Sequence, residues 1–233
     1  MGGPYSATMT HDDPSLPTDE RTPLSQEQAS AALPGWRLLL GRMHLTVSTD
    51  TYAAALEFVH RVGQLAEQHQ HHPEIDLRYC LVHLALSSHD VGAVTARDVR
   101  LARAIDEQVE TLGVRPSPAR LTETEIAIDA LDIPAVLPFW EAVTGYRRRG
   151  DTELLDPDRL GPTIWFQQLD RPRPQRNRIH LDVTVAHDEA AHRLEAALAA
   201  GGSLVSDARA PSFWILADAE GNEACLCTWQ GRD

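Results

Sequence analysis

Glu67-Gln68-His69-Gln70-His71-His72-Pro73-Glu74 lies between an amphipathic stretch on its N-terminal side and an alternating apolar stretch on its C-terminal side. Upstream, Tyr52, Ala55, Leu56, Val59, Val62, Gly63 and Ala66 recur at helical spacing. That spacing predicts a helix from Thr49 or Asp50 to about Gln70, with these residues as its buried stripe. Downstream, Cys80, Val82, Leu84 and Leu86 alternate with Tyr79, Leu81, His83 and Ala85, which predicts a strand over Tyr79–Ser87 with one fully apolar face. A residue before proline is driven out of the α region, so Pro73 sets His71 and His72 at the helix end. Glu67 and His71 would share a face if the helix ran on to His71.

An imidazole can hold or release a proton near neutral pH. Three of them in four residues, stopped by proline, suit acid–base chemistry, metal binding or a solvated helix end. The His-x-His-His spacing lacks the i, i+4 pair of helical zinc sites, and no cysteine cluster stands beside it. No Gly-x-Ser-x-Gly nucleophile pattern accompanies it either. Proton transfer, such as elimination of water, is favoured over acyl transfer. On these residues alone the three roles stay open.

Composition narrows the partners. The 233 residues allow one large domain or two ordinary ones, and 42% apolar with 24% charged residues is the balance of a soluble globular protein. A net charge of −13 argues against nucleic acid or an anionic membrane as partner, and a small, roughly neutral substrate is expected. The basic Arg147-Arg148-Arg149 and the Arg171–Arg178 stretch read as a solvated turn and a loop. No apolar run is long enough to span a bilayer, and the N-terminus lacks a signal-peptide layout. Cys80, Cys225 and Cys227 are too few for a disulfide framework, so a reduced, cytoplasmic compartment is expected.

The fold class expected is α+β. Residues 1–23 read as a disordered tail, Ser25–Leu33 as a short helix, and Trp36–Leu40 with Met43–Val47 as a hairpin turning on Gly41-Arg42. Ser88–Val94 is a connection carrying His89. Thr95-Ala96-Arg97-Asp98 has capping-box form and opens a helix with Val99, Ala102, Ile105, Val109 and Leu112 inward. Gly113 stops it, and residues 115–121 read as a linker between a first domain (24–114) and a second (122–233). In the second, strands are predicted over Glu123–Leu131, Thr163–Leu169, Ile179–Val185, Phe213–Leu216 and Glu223–Trp229. Helices are predicted over Ala135–Thr144 and Glu189–Ala200. The halves rhyme, which implies paired βαβββ units.

Gly35-Trp36, Ala66-Glu67, His71-His72-Pro73-Glu74, Val82-His83, Ser87-Ser88-His89, Arg97-Asp98, Leu101-Ala102 and Ile105 fall in one register. In these residues the segment from about 25 to 110 resembles the pterin-4a-carbinolamine dehydratase family. The resemblance implies a four-stranded antiparallel sheet with helices on one face and assembly as a homodimer or homotetramer. It also implies dehydration of a 4a-hydroxytetrahydropterin to the quinonoid dihydropterin, with no metal or cofactor. Carried over by position, His71, His72, His89 and Asp98 form the catalytic set, with Trp36, Glu67, Glu74 and Ser88 near the substrate. The run Met43–Val47 lacks phenylalanines often found there in the family, and Ile75-Asp76 replaces a bulkier aromatic.

The segment from about 122 to 230 resembles the glyoxalase-like branch of the vicinal oxygen chelate superfamily. The match runs through Phe139-Trp140, Gly145-Tyr146, Asn177–Val183 and Trp214–Glu223. His180 and Glu223 occupy metal-ligand positions of that superfamily, whereas their counterparts in the first half are Ala127 and Thr163. Two side-chain ligands fall short of the three a catalytic site keeps, so no metal is expected there and a binding or assembly role is. The competing readings of the whole chain are a metal-dependent glyoxalase or dioxygenase-type enzyme and a non-catalytic dimerisation protein.

Overall fold

The structure, a computed structural model, describes residues 16–17, 19–134, 137, 146–171, 179–199, 202–217 and 223–232, with the backbone alone at 179–181 and 217. Ser25 opens α1 (Gln26–Ala32) with a reciprocal capping box, its hydroxyl accepting from the Gln28 N–H and the Gln28 side chain accepting from Ser25 N–H. A hairpin of β1 (Arg37–Leu39) and β2 (Arg42–Ser48) follows. Leu39 pairs with Arg42, so the two-residue turn is Leu40-Gly41, with φ of 47° and 75°, one residue before the expected turn. Two positive φ values are what a tight hairpin needs to match strand twist.

α2 (Tyr52–His69) starts at Thr51, whose side chain accepts from the Ala54 N–H, and ends where Gln70 turns left-handed. Its inward stripe is Ala55, Phe58, Val62 and Ala66. The expected stripe was rotated too far: Tyr52 and Leu56 are 49% and 46% exposed. Next come β3 (Glu74–Arg78), β4 (Leu81–Leu86) and α3 (Ala96–Leu112). The strand expected over Tyr79–Ser87 is β4 alone, because Tyr79 has φ 57° and forms the turn from β3. β3 escaped the reading because only Ile75 and Leu77 mark it as apolar.

The first sheet runs β1-β2-β4-β3, all antiparallel, which is the expected four-stranded arrangement. Arg115-Pro116, expected as linker, pairs with Val47-Ser48 of β2 as a two-residue strand, β5. Met43, Leu45, Val47, Val82, Leu84 and Leu86 bury one sheet face in a core with Phe58, Val62, Val99 and Ile105 of the two long helices. Alternation fixes this: each inward residue is followed by one on the other face.

The second sheet is built from β6 (Thr122–Ala130), β7 (Arg147–Arg149), β8 (Glu153–Leu155), β9 (Thr163–Gln168), β10 (Ile179–Val185), β11 (Ser203–Arg209), β12 (Phe213–Ala217) and β13 (Glu223–Cys227), with α4 (Ala190–Ala199) between β10 and β11. Its order is β11-β12-β13-β10-β6-β9-β8-β7. β6 pairs β9 in parallel, β10 pairs β13 in parallel, and β6 meets β10 antiparallel at the centre. Each half thus repeats the other, as the sequence rhyme implied. Arg147–Arg149 is a strand paired with β8, not the expected turn. The helix expected over 135–144 and the loop over 171–178 lie almost wholly outside the described residues.

The two sheets touch through named side chains. The Arg37 guanidinium donates to both oxygens of Asp188 at 3.1 and 2.7 Å. Trp229, after β13, packs on the first core and donates its indole N–H to His187 Nδ1 at 3.2 Å.

Candidate active site

The end of α2 decides where the histidines go. The Gln70 N–H donates to the Glu67 carbonyl at 3.3 Å and the His71 N–H to the Ala66 carbonyl at 3.1 Å. This paired closure is the Schellman motif, and it folds His71 back over the last turn. His71 is therefore past the helix and does not share a face with Glu67. It is His72 that meets Glu67, Nε2 to Oε1 at 3.0 Å, with both side chains well exposed.

His71 is buried, and its Nε2 lies 2.6 Å from Asp98 Oδ1. Asp98, the third residue of α3, is fully buried, and its Oδ2 accepts from the Thr95 N–H and from Ser88 Oγ, both at 2.8 Å. Ser88 Oγ also lies 2.8 Å from Thr95 Oγ1. The capping box that begins the helix thus leaves one carboxylate oxygen for the imidazole. An ionised carboxylate is an acceptor only, so Nε2 carries the hydrogen and Nδ1 the lone pair. Nδ1 has no protein partner and is not sealed from solvent.

The remaining expected residues are dispersed. His89 is exposed in the turn after β4 and has no hydrogen bond to His71 or Asp98. Ser88 is fully buried and committed to Asp98, so its hydroxyl supports the pair and does not face a substrate. Trp36 is a core residue, 2% exposed, whose indole N–H donates to Asp106 Oδ1 at 2.9 Å. Glu74 begins β3 and is ion-paired with Arg42. Its charge bears on His83 and Glu123, which sit on the far face of the first sheet. Thr95 was legible as a cap and missed as a site residue; its fixed distance from Asp98 was the available signal.

The largest cavity described, about 960 Å³, contains none of His71, His72, His89 or Asp98. It opens on the second sheet and the edge of the first, with Glu125, Asp182, Glu223, Cys225, Thr163 and Trp165 in its wall. Glu125 and Asp182 are directly opposite in the β6–β10 register. Burial first, and the Asp182 charge second, push the Glu125 carboxyl up to about 7. Burial likewise raises the Cys227 thiol to about 12 and Cys225 higher, which keeps both protonated and unreactive at neutral pH.

The metal positions of this cup are also placed by register. Ala127 is directly opposite His180, as the sequence alignment of the halves required. Leu181 pairs with Ala224 whereas its counterpart Ile128 pairs with Phe166, so the counterpart of Glu223 is Trp165 and not Thr163. Neither residue of the first half, Ala127 or Trp165, is a metal ligand. The side chain of His180 lies outside the described residues, and Glu223 is exposed.

A family profile described as pterin 4 alpha carbinolamine dehydratase matches residues 22–108, and one described as a glyoxalase-like domain matches residues 125–227. A crystal structure of a transcriptional coactivator/pterin dehydratase from Brucella melitensis covers 37% of this chain and 97% of its own, at 24% identity and a TM-score of 0.36. A relative from Acidobacterium capsulatum is 41% identical over 85 residues, which are 36% of this chain and 92% of that protein. One from Chloroflexus aurantiacus is 46% identical over 77 residues, 33% of this chain and 83% of that protein. Both are named for pterin-4-alpha-carbinolamine dehydratase. The chain belongs to the pterin 4 alpha carbinolamine dehydratase family.

Dehydratases are hydro-lyases, and that is the enzyme class of the family. The dehydratase-matching part holds every histidine of the opening stretch together with His89 and Asp98, whereas the cavity wall is drawn mostly from the glyoxalase-like part. Dehydratase family and cavity therefore belong largely to different sheets. Among the described residues no helix is long and apolar enough to cross a membrane.

Proposed function

We propose that the chain dehydrates a 4a-hydroxytetrahydropterin to the quinonoid dihydropterin through His71, His72 and His89. The observation that carries this reading is the 2.6 Å contact of His71 Nε2 with Asp98. It leaves Nδ1 as a lone pair on a ring that cannot turn without losing its partner, which is the setting of a general base. In the proposed step His71 Nδ1 takes the N5 proton. A protonated histidine, for which His89 is exposed and free to move, gives a proton to the 4a-hydroxyl, which leaves as water. His72, held by Glu67, borders the pterin's polar edge. Asp98 acts through His71 and is a positioning residue, as Ser88 and Thr95 are one contact further out.

The glyoxalase-like part is read as a binding or assembly module, since it contributes the larger share of the cavity wall and two ligand positions at most. Assembly as a homodimer or homotetramer belongs to the same reading. Tyr52 and Tyr79, 49% and 80% exposed, stack at 6.4 Å beside the first sheet and offer an apolar contact surface. Stopped-flow dehydration of 4a-hydroxytetrahydropterin, with and without chelator, tests the reaction. Turnover above the spontaneous rate that survives the chelator is expected; a rate equal to the spontaneous one removes the reading.

A further inference from the structure

β2 sends Met43, Leu45 and Val47 toward the helices, so His44 and Thr46 lie on the opposite face of the first sheet. An isolated sheet would leave that face to water, yet His44 is only 1% exposed and Thr46 is buried too. The register sets Thr46 opposite His83 and His44 opposite Ala85, which puts the two histidines diagonally on neighbouring strands of one face. β6 of the second sheet brings Glu123 to the same point. His44 Nδ1 lies 3.2 Å from His83 Nε2 and 3.9 Å from Glu123 Oε1. One donor atom from each of the three lies within 4.8 Å of the others.

We propose that His44, His83 and Glu123 bind a divalent transition metal of the zinc class, with one coordination position open to the cavity. Zinc–nitrogen bonds of about 2.0–2.1 Å in a tetrahedron separate two ligand nitrogens by about 3.3 Å, close to the 3.2 Å between the imidazoles. Two imidazoles with one carboxylate suit zinc, iron or cobalt, whereas magnesium and calcium prefer oxygen alone. Burial holds His44 well below the ordinary histidine range and lowers His83 as well, so both rings are in the neutral form a metal needs. Thr46 Oγ1 is 2.7 Å from His83 Nδ1. When Nδ1–H donates to that hydroxyl, the Nε2 lone pair is fixed toward His44, the outer-shell restraint typical of metal-bound imidazole.

The neighbouring charges admit a cation. Arg42 faces both histidines but is ion-paired with Glu74, and Asp76 stands opposite His83 on β3. Arg159 is the other cation near Glu123, with Arg42 and Glu74. His44 and Glu123 also line the cavity, so a metal held by them would meet solvent or a small ligand there. This site shares no residue with the proposed dehydratase set and stands or falls apart from it.

The full chain, stripped with chelator, is titrated with Zn²⁺ by calorimetry and with Co²⁺ by visible absorption. One equivalent is expected to bind per chain, with the strong visible bands of four-coordinate cobalt. His83→Gln and Glu123→Gln should each weaken binding at least tenfold. Circular dichroism checks their folding; if His83→Gln does not fold, the near-isosteric Glu123→Gln decides. Absence of saturable one-to-one binding overturns the proposal. So does binding that both variants keep, or that is lost with Glu223→Gln while both variants keep it.

Discussion

Asp98 and Glu125 are both buried carboxylates, and they are handled in opposite ways. Asp98 sits in the first turn of a helix, and donors from Thr95, Ser88 and His71 satisfy both of its oxygens. Glu125 sits mid-strand opposite Asp182, and burial with that like charge raises its pKa to about 7. A carboxylate supplied with donors by its own helix cap can orient another group. One supplied with a second carboxylate by sheet pairing takes up a proton instead.

The contrast can be broken from either side. His71→Ala removes the proposed base, and the dehydration rate constant in stopped flow is expected to fall by about 100-fold or more. Asp98→Asn keeps the shape but loses the acceptor. It is expected to slow dehydration by about 10–100-fold and to destabilise the chain by about 1–3 kcal/mol in urea unfolding. Unaltered kinetics with lowered stability would reduce Asp98 to a cap.

Glu125→Gln probes the other side through pH. A folded-state pKa raised from 4.5 to about 7 means the folded chain binds this proton more tightly than the unfolded one. The stability it contributes is full below pH 4.5 and lost as pH rises through about 7. Glu125→Gln should therefore gain about 1–3 kcal/mol over wild type at pH 8 and nothing at pH 4. Unfolding curves at the two pH values check it. Ser88→Ala, which takes one donor from Asp98, should cost about 1 kcal/mol. Arg37→Ala, which breaks the partly exposed ion pair with Asp188 between the sheets, should cost less than about 1 kcal/mol.

Much of the first domain was legible because its signals are local. The Thr95–Asp98 box, the Gly113 stop and the β4 alternation each depend on residues a few positions apart, and each is found in place. The cap and the imidazole contact of Asp98 coexist, as its position in the box allowed. The β3 strand and the Tyr79 turn were not legible, since five residues with two apolar members carry too little period. The stripe on α2 was misjudged because Tyr52 and Leu56 continue the spacing although the helix turns them outward.

The sequence by itself determined the elements, the doubled plan of the second sheet, and the histidine–proline signal at the end of α2. These rest on periodicity, capping and backbone limits, which act over short spans. Only the tertiary structure decided that His72 and not His71 meets Glu67, that Ser88 faces inward, and that Arg115-Pro116 completes an edge. It alone brought His44 and His83 to Glu123, across two sheets and 79 residues of sequence between the first and the last. Strand register and the burial of one sheet's outer face by another set such meetings, and no local pattern encodes them.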